Sequence, residues 1–139
     1  PYIDVSQKNK LSQNKQVGAR KKPERVEGTL SCELPETLVK TNDIHITSKR
    51  NFDCFQDTEL DMLLKRTLDV KNIIICGVNT DTCVYGTTFG ASNRGYNPIV
   101  IECCTGSMRG EDQHKTALKI MSQSIAWVMK KEEILNKLN

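Results

Sequence analysis

The stretch that decides the fold is Asn72–Val84, which reads N-I-I-I-C-G-V-N-T-D-T-C-V. The β-branched run Ile73–Ile75 predicts a buried strand that ends at Gly77. Thr80 is a typical helix N-cap residue, and Cys83 follows in the first helical turn. A thiol there faces unpaired backbone N–H groups and the positive end of the helix dipole, which favour the nucleophilic thiolate. The sequence therefore predicts a strand, a tight turn and a helix that presents an activated cysteine.

The length and composition favour one globular domain. A chain of 139 residues, 37% of them hydrophobic, can bury a core. No apolar run approaches the roughly 18 residues of a membrane span, and no secretory signal pattern opens the chain. A net charge of +3 is too small to indicate nucleic-acid binding by itself. The six cysteines are scattered through predicted strands and helices, so we expect reduced thiols in a cytoplasmic protein.

The chain is expected to have two parts. Residues 1–27 are rich in Lys, Gln, Asn and Ser and show no apolar period, so they are predicted to be a polar, basic, extended segment. The basic cluster Arg20–Lys22 is interpreted as a solvated surface. A targeting signal and a nucleic-acid contact are the alternatives, and steep salt dependence of binding to polyanions would identify the nucleic-acid contact. Residues 28–139 are predicted to form the domain.

Strands and helices alternate along the domain. A strand is predicted at Asp43–Ser48, where polar and apolar residues alternate, and a helix capped by Thr58 follows it. After the strand Asn72–Gly77, a helix is predicted from about Asp81 to Arg94, with Gly95 as its C-cap. The remaining predicted elements are a strand at Pro98–Glu102, a helix at Glu111–Ser124, a strand at Ala126–Met129 and a helix at Lys131–Leu138. This order favours a three-layer α/β fold with a mainly parallel, Rossmann-like sheet.

Two polar residues are predicted to share one edge of that sheet. Lys49 directly follows the predicted strand Asp43–Ser48, and Cys83 follows the strand Asn72–Gly77. Sites in such folds form where strand carboxyl ends meet helix N-termini. A lysine beside a cysteine stabilises the thiolate by charge. An exposed lysine and a packed cysteine are the alternative, which either residue alone would favour.

Four motifs in order resemble the isochorismatase-like cysteine hydrolases, which include N-carbamoylsarcosine amidohydrolase, ureidoacrylate amidohydrolase and biuret hydrolase. The segment 28–34 is similar to the family's G-T-x-G-x-E-L turn, and Lys49 with Phe55, Thr58 and Leu60 is similar to its lysine motif. Residues 77–84, G-V-N-T-D-T-C-V, resemble the nucleophile motif. Glu102 stands where the family usually has Asp. The resemblance covers about residue 28 to the C-terminus.

The resemblance implies a function and a set of site residues. Cys83 would attack an amide carbonyl and form a thioester, and Lys49 would keep the thiolate charged. The bond between Val78 and Asn79 would be a cis peptide, and the N–H groups of Asn79 and Cys83 would form an oxyanion hole. Phe55 would line the substrate pocket, although core packing is the favoured alternative, and Tyr85 would pack under the site. Members of the family are usually homo-oligomers.

The family's catalytic Asp has no identifiable counterpart. Asp4 superficially resembles it, but Asp4 lies too close to Gly28 for the strand–helix–strand unit between them, which needs about 30 residues. The chain is therefore interpreted as lacking the family's first strand and helix. A separate N-terminal polypeptide, a partner chain or a rearranged sheet would replace the missing strand, and an Asp from outside this chain would complete the site. A catalytically incomplete member that acts as an assembly or interaction module is the alternative.

Several other residues narrow the class of substrate or are interpreted as structural. Glu24 takes the position of a metal-binding histidine of nicotinamidases, so neither a metal nor another cofactor is expected, and nicotinamide is disfavoured. Cys83 favours cleavage of a C–N bond in a small amide or ureido compound over vinyl-ether cleavage. His45 is interpreted as an ordinary strand residue, and the pair Cys103–Cys104 as small core residues. Trp127 is expected to anchor the last helix or contact another subunit.

Overall fold

The computed structural model describes residues 28–30, 33 and 36–138. The chain divides into two compact units, one ending at Arg50 and the other beginning at Asn51. The predicted extended segment 1–27, with Asp4, Glu24 and its basic cluster, lies outside the described residues.

In the first unit, residues 36–50 form loops and one short 3₁₀ turn, Glu36–Leu38. The predicted strand Asp43–Ser48 is therefore wrong, and so are the predictions that Lys49 follows a strand and that His45 lies within one. A strand exists only through hydrogen bonds to a neighbouring strand. All three strands of the described sheet come from the second unit, and Ile44 is 60% exposed.

The second unit contains a parallel three-stranded sheet in the order β1-β2-β3. Its strands are β1 (Asn72–Val78), β2 (Asn97–Gly106) and β3 (Trp127–Met129). The β1–β2 register shifts between Ile75 and Gly77. All three strands were predicted, but β2 runs beyond the expected end. The parallel pairing confirms the α/β class.

Helices connect and cover these strands. They are α1 (Leu60–Met62, continued by a π-helical turn at Leu63–Thr67), α2 (a π-helical turn at Thr80–Val84, continued by Tyr85–Asn93), α3 (Glu111–Ser124) and α4 (Lys131–Leu138). Before α1, the Thr58 hydroxyl accepts a hydrogen bond from the Leu60 amide at 3.3 Å, but the N-cap residue is Glu59, so the predicted cap is off by one residue. After α2, Gly95 adopts φ +82°, and its amide donates to Ser92 O at 3.0 Å. Among the described residues, no helix combines the length and apolarity needed to cross a membrane.

The core lies between the sheet and the helices α2 and α3. Its buried cluster consists of Phe55, Ile75, Val84, Ala91, Tyr96, Val100, Ala117, Leu118 and Met121. Cys103 and Cys104 are exposed, so their prediction as core residues is wrong. They lie beyond Ile101, the last β2 residue that pairs with β3. Trp127 is 70% exposed and is not a buried anchor, so its role as a subunit contact stays a prediction.

Candidate active site

Cys83 lies in the first turn of α2, directly after the carboxyl end of β1. The peptide bond between Val78 and Asn79 is cis, as the family resemblance implied. Asn79 is the N-cap residue and has extended dihedral angles, and the helix begins at Thr80. The prediction of Thr80 as the cap is therefore off by one residue, and Cys83 is the fourth helical residue. The turn from Val78 to Val84 is called the Cys83 turn below.

The backbone of the Cys83 turn is closed by two hydrogen bonds. The carbonyl oxygen of Asn79 accepts from the amides of Thr82 and Val84, each at 3.1 Å. Neither bond uses the amide of Cys83. The Cys83 side chain is half-buried, and its thiol is free. Tyr85 packs against the core from the next turn, with its ring 6.5 Å from that of Phe89.

The buried residue Thr80 fixes the start of α2 to α3. Its side chain is fully buried, and Thr80 Oγ1 lies 2.8 Å from His114 Nδ1 in a hydrogen bond. His114 is in the first turn of α3, where its own amide donates to Gly110 O at 3.2 Å. A buried hydroxyl needs such a partner, because leaving it unpaired costs about 1–3 kcal/mol. The hydrogen bond therefore couples the beginnings of the two helices.

Asp81 fixes the same turn to the loop after β2. Its side chain is only 9% exposed; Oδ1 accepts from Ser107 Oγ at 2.6 Å, and Oδ2 pairs with the Arg109 guanidinium at 2.6 Å. Burial alone would raise the pKa of Asp81, but the hydrogen bonds from Ser107 and Arg109 outweigh it and lower the pKa. Asp81 is therefore an ionised structural group with both oxygens engaged.

A third contact completes this set. The amide of Met108 donates to Asn79 Oδ1 at 3.0 Å, while the amide of Arg109 donates to Ser107 Oγ at 3.1 Å. Three consecutive residues of the Cys83 turn, 79–81, are thus bound to the segment 107–114. Sequence reasoning missed Ser107, Arg109 and His114. The available signal was their place after the carboxyl end of β2, the edge where sites form.

Lys49, the second predicted catalytic residue, lies at the end of the first unit, whereas Cys83 lies in the second. Lys49 is half-buried, and the carbonyl oxygen of Lys49 accepts from the Arg50 guanidinium at 3.3 Å. The pairing of Lys49 with Cys83 stays a prediction.

Phe55 belongs to the core, with 4% of its surface exposed, in agreement with the packing interpretation. Its ring stacks on Tyr96 at 5.5 Å between centroids, and the Arg94 guanidinium lies over it at 4.9 Å. Arg94 also pairs with Asp53 at 3.4 Å. This cluster fixes the segment 52–55 to the end of α2.

Further thiols lie at the carboxyl ends of β1 and β2. Cys76, Cys103 and Cys104 are free and exposed, and the sulfur atoms of Cys103 and Cys104 are 4.0 Å apart. Partial burial of its thiol and the neighbouring Cys104 raise the pKa of Cys76. The part of the chain that the structure describes holds no group of three or more His, Cys, Asp or Glu side chains arranged for a metal ion.

The geometry defines a class of protein: a parallel α/β domain that carries a cysteine on the first turn of a helix, after a strand that ends in a cis peptide. The sequence model of the Isochorismatase domain family matches residues 5–133. The chain therefore belongs to the isochorismatase family, and the family-level prediction is confirmed.

Known relatives agree with this assignment. An uncharacterized isochorismatase family protein, YecD, of Escherichia coli O157:H7 is 33% identical over 105 residues, which are 75% of this chain and 54% of that protein. The solved isochorismatase-like hydrolase from Alkaliphilus metalliredigens has a TM-score of 0.77 and 27% identity, over 84% of this chain and 62% of that one. The nicotinamidase from Staphylococcus aureus has a TM-score of 0.56 and 35% identity, over 59% of this chain and 50% of that one. The chain thus spans about half the length of the curated relatives it matches.

Proposed function

We propose that this chain supplies the nucleophile of a cysteine hydrolase that cleaves the C–N bond of a small non-peptide amide or ureido compound. One observation carries the proposal: Cys83 is half-buried on the first turn of α2, at the carboxyl end of a parallel strand. This is where α/β folds place reacting groups. Backbone amides at the start of a helix also stabilise negative charge that develops during a reaction. Similarity to a solved isochorismatase-like hydrolase and to a nicotinamidase supports the same reaction class.

The proposed reaction has two halves. The Cys83 sulfur attacks the substrate carbonyl carbon, and the N–H groups of Asn79 and Cys83 stabilise the oxygen that becomes negative. The C–N bond then breaks as the proposed catalytic acid gives its proton to the leaving nitrogen, which departs as ammonia or an amine. Water gives one proton back to that acid as it attacks the thioester, the C–S bond breaks, and the product acid is released with the thiolate restored. The cis Val78–Asn79 bond precedes the first of the two proposed donors.

Lys49 is proposed to keep the Cys83 sulfur anionic through its positive charge. A neighbouring ammonium group stabilises a thiolate most where water is partly excluded, and Lys49 is half-buried. The sequence motif that begins at Lys49 and runs to Leu60 supports this role. Lys49→Met is expected to lower kcat at least about 100-fold, while the exposed control Lys40→Met leaves it within about twofold.

The proton-shuttling acid is proposed to come from outside the described residues. Asp81 is close to Cys83 in sequence, but Ser107 and Arg109 occupy both its oxygens and lower its pKa. Asp53 is paired with Arg94, and Asp61 accepts from Tyr96 at 2.8 Å. We propose an Asp from a separate N-terminal polypeptide or from a partner subunit of a homo-oligomer.

The test is ammonia release from a panel of small amide and ureido compounds. Cys83→Ala is expected to abolish release, and Cys54→Ala, at another half-buried free thiol, is expected to leave it within about twofold. Hydroxylamine should capture the acyl group from the thioester as a hydroxamate. Ammonia release that persists in Cys83→Ala, or no release from any compound in the panel, would contradict the proposal.

A catalytically incomplete member is the second candidate, favoured by the engagement of Asp53, Asp61 and Asp81 in structural contacts. Such a protein would act as an assembly or interaction module. It would yield no hydroxamate, and Cys83 would react with alkylating reagents no faster than Cys54.

A further inference from the structure

The residues that precede Cys83 use their side chains in an unusual way. Asn, Thr and Asp at the start of a helix commonly accept hydrogen bonds from the amides of that helix. Asn79 is the N-cap of α2, yet its side chain makes no cap bond. Asn79 Oδ1 instead accepts from Met108, and Thr80 and Asp81 also bind residues of the segment 107–114.

The Thr80 and Asp81 side chains are shielded from water in the Cys83 turn, whereas the Arg109 side chain is 62% exposed and the bond from Met108 to Asn79 lies at the surface. Thr80 is fully buried, and the side chain of Asp81 is 9% exposed. Hydrogen bonds in such surroundings are electrostatically stronger and hold a more definite geometry than exposed ones. The bonds from Ser107 and Arg109 to the Asp81 carboxylate are also charge-assisted, which shortens and strengthens them.

The segment 107–114 is itself organised for this contact. Ser107 Oγ donates to Asp81 and accepts from the amide of Arg109, and the amide of Gly110 donates to Ser107 O at 3.3 Å. Gly110 has φ +105° and is the N-cap of α3, which begins one residue later and carries His114. The segment 107–114 therefore presents a hydroxyl and a guanidinium to Asp81, an imidazole to Thr80 and a backbone amide to Asn79.

We propose that the segment 107–114 is a positioning clamp for Cys83, in which Ser107, Arg109 and His114 fix the Cys83 turn in the geometry that the reaction requires. The inference rests on the proposed role of Cys83 as nucleophile. The three residues are positioning residues: they bind Asp81 and Thr80, and through them hold the backbone N–H groups of Asn79 and Cys83 in place. Small displacements of such groups have large effects on rate, since an error of about 1 Å can cost about 100-fold.

The test uses the variants Ser107→Ala, Arg109→Met and His114→Leu in the full chain. Each is expected to lower kcat by about 10- to 100-fold and to change KM by less than about threefold, because substrate binding does not use these residues directly. Lys115→Met is the matched control, since it removes only the exposed ion pair between Lys115 and Glu111 on the same helix. Its kcat is expected to stay within about twofold of the parent.

Conservative variants separate positioning from general stability. Asn at position 114 can place a polar atom where His114 Nδ1 lies, so His114→Asn is expected to recover most of the kcat lost in His114→Leu. Circular dichroism and thermal melting check that each variant is folded. A kcat loss that parallels the fall in melting temperature and is not recovered by His114→Asn would overturn the proposal.

A second readout works without turnover. The rate of Cys83 alkylation against pH, followed by peptide mass spectrometry, should change in midpoint or plateau in the three clamp variants and not in Lys115→Met. If the parent protein hydrolyses nothing in the panel, the proposed function fails. The clamp is then tested by the pH dependence of Cys83 alkylation alone, and clamp variants that match Lys115→Met would overturn it. If the parent is active but the clamp variants keep both kcat and the alkylation profile of Lys115→Met, the clamp is overturned and the proposed function stands.

Discussion

Residues 43–48 and residues 72–78 both have the local pattern of a strand, and only the second stretch forms one. Residues 43–48 alternate polar and apolar side chains, whereas Asn72–Val78 carries a β-branched run. The second stretch pairs with β2, and Ile75 is 8% exposed; the first has no place in the described sheet, and Ile44 is 60% exposed. A local pattern therefore makes a strand possible. The strand forms only where a neighbouring strand supplies hydrogen bonds and helices cover its apolar face.

The same contrast separates the two residues of the proposed catalytic pair. Cys83 follows β1, so its position is set by a paired strand and by the bonds of the residues 79–81. Lys49 follows the stretch that forms no strand. The turn that holds the proposed nucleophile is thus fixed by contacts within the second unit, whereas no strand of the described sheet leads to Lys49.

The largest expected effect comes from truncating the same residue type in both stretches. Ile75→Ala removes buried methyl and methylene groups from the core under β1 and is expected to lower the free energy of unfolding by about 2–5 kcal/mol. Ile44→Ala is expected to change it by less than about 0.5 kcal/mol. Urea denaturation measures both. Equal losses of unfolding free energy in the two variants would show that Ile44 is as buried as Ile75 and would contradict the difference between the two stretches.

A second prediction concerns the close contact between α2 and the segment 52–55. A Cβ atom at Gly90 would overlap the carboxylate of Asp53, so Gly90→Ala is expected to cost about 1–3 kcal/mol of unfolding free energy and to break the Asp53–Arg94 pair. Gly86→Ala is the control, since its Cβ would meet Phe52 Cβ at 3.4 Å. A smaller loss for Gly90→Ala than for Gly86→Ala would contradict the packing described here.

A third prediction uses acid. The pKa of Asp81 in the folded chain lies below its ordinary value of 3.8, so the ionised group stabilises the fold above that pH. This contribution is lost as the pH falls through the lower, folded pKa. Arg109→Met weakens the ion pair and should flatten the loss of stability below about pH 4. Chemical denaturation at several pH values measures how steeply the free energy of unfolding falls below about pH 4. The same fall in Arg109→Met as in the parent would count against the Asp81–Arg109 contact.

The smallest expected effect is at alkaline pH. Burial, followed by the hydrogen bond to Asp61, raises the pKa of Tyr96 from 10.0 to about 12. The folded state therefore keeps the proton that the unfolded state loses, and stability that is fully present below pH 10 declines as the pH rises towards 12. Tyr96→Phe should remove this decline and cost about 1 kcal/mol at neutral pH. Spectrophotometric titration of tyrosine gives an independent reading of the pKa.

Sequence reasoning located the elements of the second unit well, because they carry strong local signals. The β-branched run gave β1, Gly95 gave the end of α2, and the apolar spacing of Ala117, Leu118 and Met121 gave α3 within its true limits. It failed at residues 43–48 and at Cys103–Cys104. Burial there depends on whether a distant strand pairs with the segment and whether another element packs over it. It also missed Ser107, Arg109 and His114, because their contacts to residues 79–81 exist only once β1 and β2 lie side by side.

The most direct test of the account is the identity of the acylated residue during turnover. The protein is mixed with a hydrolysable amide, quenched in acid within the first turnovers, and digested for peptide mass spectrometry. We predict a mass increase equal to the acyl group on Cys83 alone, removed by hydroxylamine. Turnover with the acyl group on another residue, or with Cys83 unmodified at every quench time, would contradict the account.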